Sequence, residues 1–384
     1  MLKLKLLFGI LFIYIMTMCS KEKSENKTIP INIYPLHNSF ENSKKTLIDL
    51  IKIDKVIALD SLPFGLILSE ISKVIFHQNH YYILDKKFSN LLIFDSKGKF
   101  ISKVGRLGMG PGEYQNINDF DIVKNRVIVY SNDSMSLLDY DLMGKYIRKR
   151  KVPFFASHFT ILDNDFLAFY INFNPSEEVY NLFITDADLN IVEKRFPYYK
   201  KQYMGIEFSG FTKKSSTLNL FSVGLSDSVY HIENDKSLSL KYVFDFEKFK
   251  LLEEDRINHQ KFMMNGINYS FLEDGFIENN DVLMYNFQHK SKLHTGIYFK
   301  ETKLNYLYSK KSKDFHENII SIPVGSIEKS IISYVNPEYF LHFLEIDSKG
   351  FNKLKLTDEK LYQVLKEINE KSPPVLFVFS FKTN

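Results

Sequence analysis

Residues 94–103 read FDSKGKFISK and residues 140–149 read YDLMGKYIRK. Position by position, both run aromatic, Asp, two variable residues, Gly, Lys, aromatic, Ile, one variable residue and Lys. The second copy lies 46 residues after the first, from 94 to 140. A third copy, TDADLNIVEK (185–194), follows 45 residues later, with Leu189 in place of the glycine. Each copy reads as a β-hairpin. A strand reaches an Asp, then a turn of glycine or Asx type follows, because those residues tolerate positive φ. A second strand then leaves with basic residues facing solvent. Two further strand-like runs precede each copy: 71–76 and 81–84, then 117–123 and 126–130, then 158–162 and 166–171. Four short antiparallel strands in a period of roughly 40–50 residues make the blade of a β-propeller.

The pattern continues in weaker form. A fourth blade is expected over 206–246, with LNLFSV (218–223) and SDSVYHI (226–232) as its central strands. Residues 247–265 have mixed charge and helical spacing and are expected as a helical insertion. A fifth blade spans 269–307, including DVLMYNFQH (281–289) and TGIYFK (295–300). The last is expected to use IISYV (331–335) and YFLHFLEI (339–346) as strands. A helix near 357–371 interrupts it, with Leu361, Val364, Leu365 and Ile368 at i, i+3, i+4 and i+7 and Thr357 as its N-cap. PPVLFVFSFK (373–382) ends the chain as a strand, and VIAL (56–59) is free to pair with it and close the ring. The expected fold is therefore all-β: a six-bladed β-propeller of four-stranded antiparallel blades. A β-sandwich with a helical piece is the rival, but sandwich strands share no such internal register.

Composition agrees. The 384 residues include 35 Phe and 23 Tyr but no Trp, and Phe and Tyr favour strands. Fifty basic residues against 46 acidic ones give a net charge of +4, spread along the chain. A nucleic-acid partner would need clustered Lys and Arg, so none is expected. With one cysteine, Cys19, no intramolecular disulfide can form.

That cysteine ends MLKLKLLFGILFIYIMTMC (1–19), where Lys3 and Lys5 precede an apolar run from Leu6 to Met16. This reads as an export signal. The lone Cys resembles the end of a bacterial lipoprotein signal, in which the Cys is diacylated and becomes the mature N-terminus. Met18 departs from the small residue that pattern prefers. An uncleaved anchor and a plain secretory signal are the alternatives. Residues 20–46 are polar and read as a flexible tether. The propeller domain is then 47–384. The implied location is the cell envelope, with Cys19 lipid-anchored to the outer membrane, periplasmic or surface-exposed, and with the bilayer as partner.

GRLGMGPGEY (105–114) carries four glycines and a proline. A phosphate loop leads its glycines straight into a helix. Here Pro111 interrupts them, QNINDFDIV (115–123) follows with strand alternation, and no G-K-[ST] is present. The stretch reads as a blade-to-blade crossover. Taken together, FDSKGKFISKVGRLGMGPGEYQNINDFDI (94–122) resembles the six-bladed, NHL-like β-propeller lipoproteins of Gram-negative bacteria. That family's F-D-x-x-G-K-F-I is met by Phe94 to Ile101, its G-x-x-G-x-G-P-G-E-Y by Gly105 to Tyr114, and its D-F strand by Asp119 and Phe120. The resemblance implies the fold and an exported, lipid-anchored location. It implies no defined activity, since the members are mostly uncharacterised, and no catalytic residue is carried over.

The chemistry is sparse. His77 and His80 sit on a strand and turn rather than one helix face, and no H-E-x-x-H occurs, so no metal or other cofactor is expected. There is no G-x-S-x-G elbow. Asp95, Asp141 and Asp186 recur, but at the hairpin turn, where Asx residues cap. In a propeller, crossover loops and middle-strand loops share one rim. That rim makes Arg106, Glu113 and Tyr114, with Lys86, Lys87, Asn132 and Asp133, the candidate ligand-binding residues. The competing reading is that Glu113 and Tyr114 only tie their loop to the next blade. The function expected is a non-catalytic ligand- or protein-binding module, its partner a saccharide, a peptide or an outer-membrane protein complex. The alternative is a glycan- or peptide-acting hydrolase or lyase with its site in the channel.

Overall fold

The computed structural model describes residues 28–32, 47–162, 166–174, 179–198, 210–213, 219–256, 258–273, 276–309, 323–346, 348–357 and 359–382. Cys19, the signal segment and most of the tether lie outside them. The described chain opens with β1 (Ile29–Asn32), a short helix α1 (Leu47–Leu50) and β2 (Ile51–Ala58). Blade one is β3 (Lys73–His77), β4 (His80–Asp85), β5 (Asn90–Asp95) and β6 (Phe100–Lys103). A crossover containing the short parallel pair β7 (Arg106–Leu107) and β8 (Glu113–Tyr114) leads on. Blade two is β9 (Asp119–Val123), β10 (Arg126–Ser131), β11 (Ser136–Asp141) and β12 (Tyr146–Lys151). Blade three is β13 (His158–Ile161), β14 (Leu167–Tyr170), β15 (Tyr180–Thr185) and β16 (Ile191–Pro197).

Blade four is β17 (Phe211–Lys213), β18 (Asn219–Phe221), β19 (Ser228–Ile232) and β20 (Leu238–Asp245). The expected insertion follows, with α2 (Glu253–Arg256) and α3 (His259–Asn265). In blade five, β21 (Ser270–Leu272) and β22 (Ile277–Glu278) both pair with β23 (Val282–His289), which is followed by β24 (Lys292–Phe299) and β25 (Asn305–Ser309). Blade six takes β26 (Pro323–Ile327) and β27 (Ser330–Val335). Three helices follow, α4 (Pro337–Ile346), α5 (Ser348–Thr357) and α6 (Glu359–Lys366), and then β28 (Val375–Phe381). Its outer strand is β2, paired antiparallel to β28 from Ile51–Phe381 to Ala58–Val375. The chain thus closes its own ring.

The six innermost strands contact one another in the order β3, β9, β13, β17, β22, β26 and back to β3. Six apolar clusters lie between the blades, one per interface. Period-2 alternation divides each middle strand between two of them. On β4, Tyr81 and Ile83 face blade six, while Tyr82 and Leu84 face blade two. This explains why the middle strands are continuous apolar runs with both faces buried. The outer strand β12 is largely exposed and basic. Tyr and Phe fill these layers, and they are the largest fully buried side chains.

The repeated Asp builds the same turn three times. Asp95 Oδ1 accepts from the backbone of Lys97 (2.8 Å) and Lys99 (3.0 Å). Asp141 does so from Met143 and Lys145, and Asp186 from Asp188 and Asn190, at 2.9 Å in each case. Two residues before the return strand φ is positive: +90° at Gly98, +88° at Gly144 and +70° at Leu189.

Two expectations need correction. YFLHFLEI is not a strand but most of α4. Pro337 sits at the first helical position, and Asn336 Oδ1 accepts from the Glu338 backbone at 3.1 Å, a capped helix start. The helix expected near 357–371 is present as α6, preceded by two others, and its Leu361 and Leu365 pack on the layer between blades five and six. Residues 29–32, assigned to the tether, form β1, which adds in parallel to the outer edge of blade four, Ile29 opposite Tyr242 and Asn32 opposite Asp245.

Candidate functional site

The innermost strands enclose a cavity of about 310 Å³ on the propeller axis. Its charged groups are unevenly placed. Blades one to three contribute Lys73, Lys86, Asp119, Asp121, His158 and Thr160. Blades four to six contribute Phe211, Thr212, Phe276, Ile277, Pro323, Val324, Gly325 and Ser326, while Val74, Ile75, Phe76, Leu84 and Ile122 add apolar surface on the side of blades one and two. Among the described lining residues, every charged side chain therefore belongs to the first half of the ring.

Strand geometry places these groups. Asp119 and Asp121 are alternate residues of β9, so both face the axis. Asp119 Oδ1 accepts from Lys73 Nζ at 2.8 Å, and its Oδ2 accepts from the Phe159 backbone at 3.3 Å. Asp121 Oδ2 accepts from the Ile161 backbone at 2.9 Å and from Thr160 Oγ1 at 3.2 Å. Each carboxylate also accepts its following residue's amide, Phe120 or Ile122, at 2.8 Å. The two aspartates therefore tie β9 to β13 of the next blade. Lys73 Nζ also donates to the Phe120 carbonyl at 2.8 Å. Burial alone would lower the Lys73 pKa. The Asp119 and Asp121 charges, with the hydrogen bond to Asp119, outweigh it and hold the ammonium above its ordinary value. Lys86 Nζ lies 3.3 Å from His158 Nε2. Since an ammonium only donates, His158 presents Nε2 as an acceptor, with its proton on Nδ1.

Of the residues expected on the rim, Lys86 lines the cavity. Asn132 is one hydrogen bond away, its backbone donating to Asn118 Oδ1 at 3.1 Å, and Asn118 is a lining residue. Asp133 and Lys87 are exposed on middle-strand loops. The crossover residues are built into their own loop. Tyr114 is wholly buried, and its hydroxyl reaches the carbonyls of Val104 (3.0 Å) and Ser89 (3.2 Å). Burial pushes its pKa up. Glu113 accepts from the Gly110 backbone at 2.8 Å and from Arg106 Nε at 2.6 Å. Those two bonds hold its carboxyl below the usual range. Gly108 has a φ of +152°, a conformation that side chains rarely adopt, which is why glycine stands there. Lys73, Asp119, Asp121, His158 and Thr160 were not singled out as site residues. The signal was available: the 46-residue offset that aligns the hairpins also aligns Lys73 with Asp119, and Lys86 with Asn132.

His77 and His80 pair across the β3–β4 turn, and His80 Nδ1 lies 2.8 Å from the Gln78 carbonyl. Among the described residues, no group of three His, Cys, Asp or Glu side chains is placed to hold a metal. No helix of the described residues is long and apolar enough to cross a membrane.

The architecture has solved counterparts. A candidate exported protein of Bacteroides fragilis superposes with a TM-score of 0.77 at 17% identity, over 93% of this chain and 100% of its own. A DUF4221 family member from Bacteroides vulgatus superposes with a TM-score of 0.52 at 10% identity, over 87% of this chain and 98% of its own. At these identities the likeness is one of fold. No curated protein matches the sequence. A family model does match, over residues 31–380, from β1 to the closing strand: the chain belongs to the family described as domain of unknown function DUF4934.

Proposed function

We propose that this chain is an exported, lipid-anchored binding module that holds a ligand in its axial cavity without transforming it. The observation that carries this reading is the engagement of Asp119 and Asp121. Their oxygens accept backbone amides across the blade two–blade three interface, so the cavity's carboxylates are structural ties. An acid–base pair for hydrolysis needs carboxylates directed at a substrate. The rest of the wall is that of a ligand pocket, mostly apolar with a few polar groups to fix orientation. Export is supported by the signal-like segment 1–19, and by the Bacteroides fragilis counterpart being a candidate exported protein. Anchoring is supported by the position of Cys19.

Two experiments test this reading. Crystals of the protein soaked with mixed oligosaccharides, peptides and small organic acids are expected to show density in the axial cavity between Lys86 and Phe276. Ligand bound only on the outer rim would overturn the assignment of the site, and cleaved ligand in the cavity would overturn the non-catalytic reading. Mass spectrometry of the mature N-terminal peptide is expected to find diacylglyceryl on Cys19. An unmodified cysteine would remove the anchor.

A further inference from the structure

Toward the outer edge of blade two, one buried carboxylate is met by three arginines. Asp139 lies on β11, its side chain fully buried. Its neighbours on that face of the sheet, Leu137 and Ile128, belong to the apolar layer between blades two and three. Strand pairing sets Arg148 opposite Asp139 and Arg150 opposite Leu137, with Arg126 two residues from Ile128, so all three side chains share that face. A carboxylate buried there is costly unless it is paired. Arg126 Nη1 and Arg148 Nε donate to Asp139 Oδ2 at 3.1 and 2.8 Å, and Arg150 Nη2 donates to Oδ1 at 3.1 Å. One arginine would neutralise Asp139, and three leave two positive charges over. Their remaining N–H groups are sparsely used. Among the described residues, the guanidinium of Arg148, 50% exposed, makes only its Nε bond, and that of Arg126, 31% exposed, only its Nη1 bond. Arg150, 16% exposed, forms the floor. Its Nη1 donates to the Ala187 carbonyl of blade three at 3.1 Å, and its Nε is buried without a hydrogen-bond partner among the described residues. The nearby acids do not pair away the excess. Asp141 and Asp186 turn their carboxylates into their own hairpins, and the exposed Asp188 makes no ion pair among the described residues.

We propose that Arg126, Arg148 and Arg150 bind a phosphate group, with Asp139 as the fixed counter-ion that holds them in place. A guanidinium fork matches two phosphate oxygens at once. A phosphate monoester carries about two negative charges at pH 7, the number left over in the cluster, whereas a monocarboxylate would match only one. The open side, through Arg148 and Arg126, admits a phosphate at the end of a larger molecule, either a free phosphate ester or a lipid headgroup. The site lies on the outer part of the blade two–blade three interface, so it stands or falls independently of the axial cavity.

The full-length protein is titrated calorimetrically with glycerol 3-phosphate and with acetate, at constant ionic strength. The phosphate is expected to bind roughly tenfold or more tighter, the scale of a hydrogen bond between charged groups. Arg148→Gln should weaken it about tenfold, and Arg148→Lys, which keeps the charge and loses the fork, should weaken it less. Lys149→Gln is the control. It removes the same charge one residue along β12, on the face toward blade one, and should leave binding unchanged. Melting curves separate lost binding from lost folding, and if Arg148→Gln melts early, Arg148→Lys carries the comparison. Dihexanoyl phosphatidic acid, a soluble lipid, separates the two sources. Tighter binding than glycerol 3-phosphate, lost in Arg148→Gln, identifies a lipid headgroup, and equal binding identifies a free phosphate ester. Equal affinity for phosphate and acetate, binding of neither, or a loss as large in Lys149→Gln as in Arg148→Gln would overturn the proposal.

Discussion

Blades one to three and blades four to six build the same four-stranded unit from different material. In the first half every hairpin closes on an Asp whose side chain caps the turn, at 95, 141 and 186. In the second half the device dissolves. In blade four Glu233 takes the Asp position and Lys236, at φ +71°, takes the place held by Gly98. Blade five splits its inner edge between β21 and β22, and blade six hangs three helices between its middle strands. The layers between blades are nevertheless the same mixture of Tyr, Phe, Leu, Ile and Val all the way round. Turn chemistry is thus negotiable in this ring, and the apolar layer is not. The half that keeps the repeat also carries all the charge described in the axial cavity.

This contrast can be broken at several points. The largest effect is expected where the charged half is stitched. Asp119→Ala would leave the Lys73 ammonium and the Phe159 amide without their partner, costing about 4 kcal/mol in chemical denaturation. A loss below about 1 kcal/mol would mean that the aspartates do not hold blades two and three together. Next comes the closing seam. A Cβ at Gly325 on β26 would overlap the Val74 carbonyl oxygen on β3, backbone against backbone. Gly325→Val should cost about 3 kcal/mol, and a neutral outcome would show that the seam between blades six and one yields where the others do not.

The two halves should also part company in acid. His294, on β24 of blade five, has its pKa lowered from 6.5 to about 4 by burial, with His289 and Lys292 adding to the effect. The unfolded chain therefore takes up a proton near pH 6.5 that the folded one refuses until about pH 4. Stability is lost as pH falls through that window, by roughly 2–3 kcal/mol. The turn carboxylates Asp95 and Asp186 are lowered below 3.8, chiefly by hydrogen bonds to Lys99 and Asn190. Their contribution is retained above pH 3.8 and lost below it. Equilibrium unfolding against pH should show the higher-pH limb vanish in His294→Phe and persist in Asp186→Asn. The smallest effects belong to the glycine loop. Tyr114→Phe should cost about 1 kcal/mol, since a buried hydroxyl loses its carbonyl partners. Arg106→Ala, which removes an exposed ion pair, should change stability by less than about 0.5 kcal/mol. The reverse order would mean that the loop is held from outside.

The first half was legible because its turns demand particular residues. Positive φ calls for Gly or Asx, so Gly98 and Gly144 mark the hairpins in plain text. Lys236 adopts the same conformation and leaves no such mark. YFLHFLEI has the aromatic content of a strand, and only the preceding Asn-Pro-Glu announces a capped helix. β1 was illegible for another reason. Four residues containing a proline become a strand only when the edge of β20 is there to receive them. In the site, Lys86 was found because it sits on a rim loop. Lys73, Asp119 and His158 were missed because each opens an inner strand, where a charged residue reads as an exposed strand end until six such strands are set around one axis.

The pairing of β2 with β28 has a consequence in time. β2 is made long before its partner: from Ala58 to Val375 the two strands are separated by more than 300 residues of chain. Its hydrogen bonds must wait for all the blades between, and they close a loop of more than 300 residues, a slow kind of contact to form. A truncated product can stack its early blades but never join them. The ring is thereby closed only once β28 has been made, whatever the state of the blades before it.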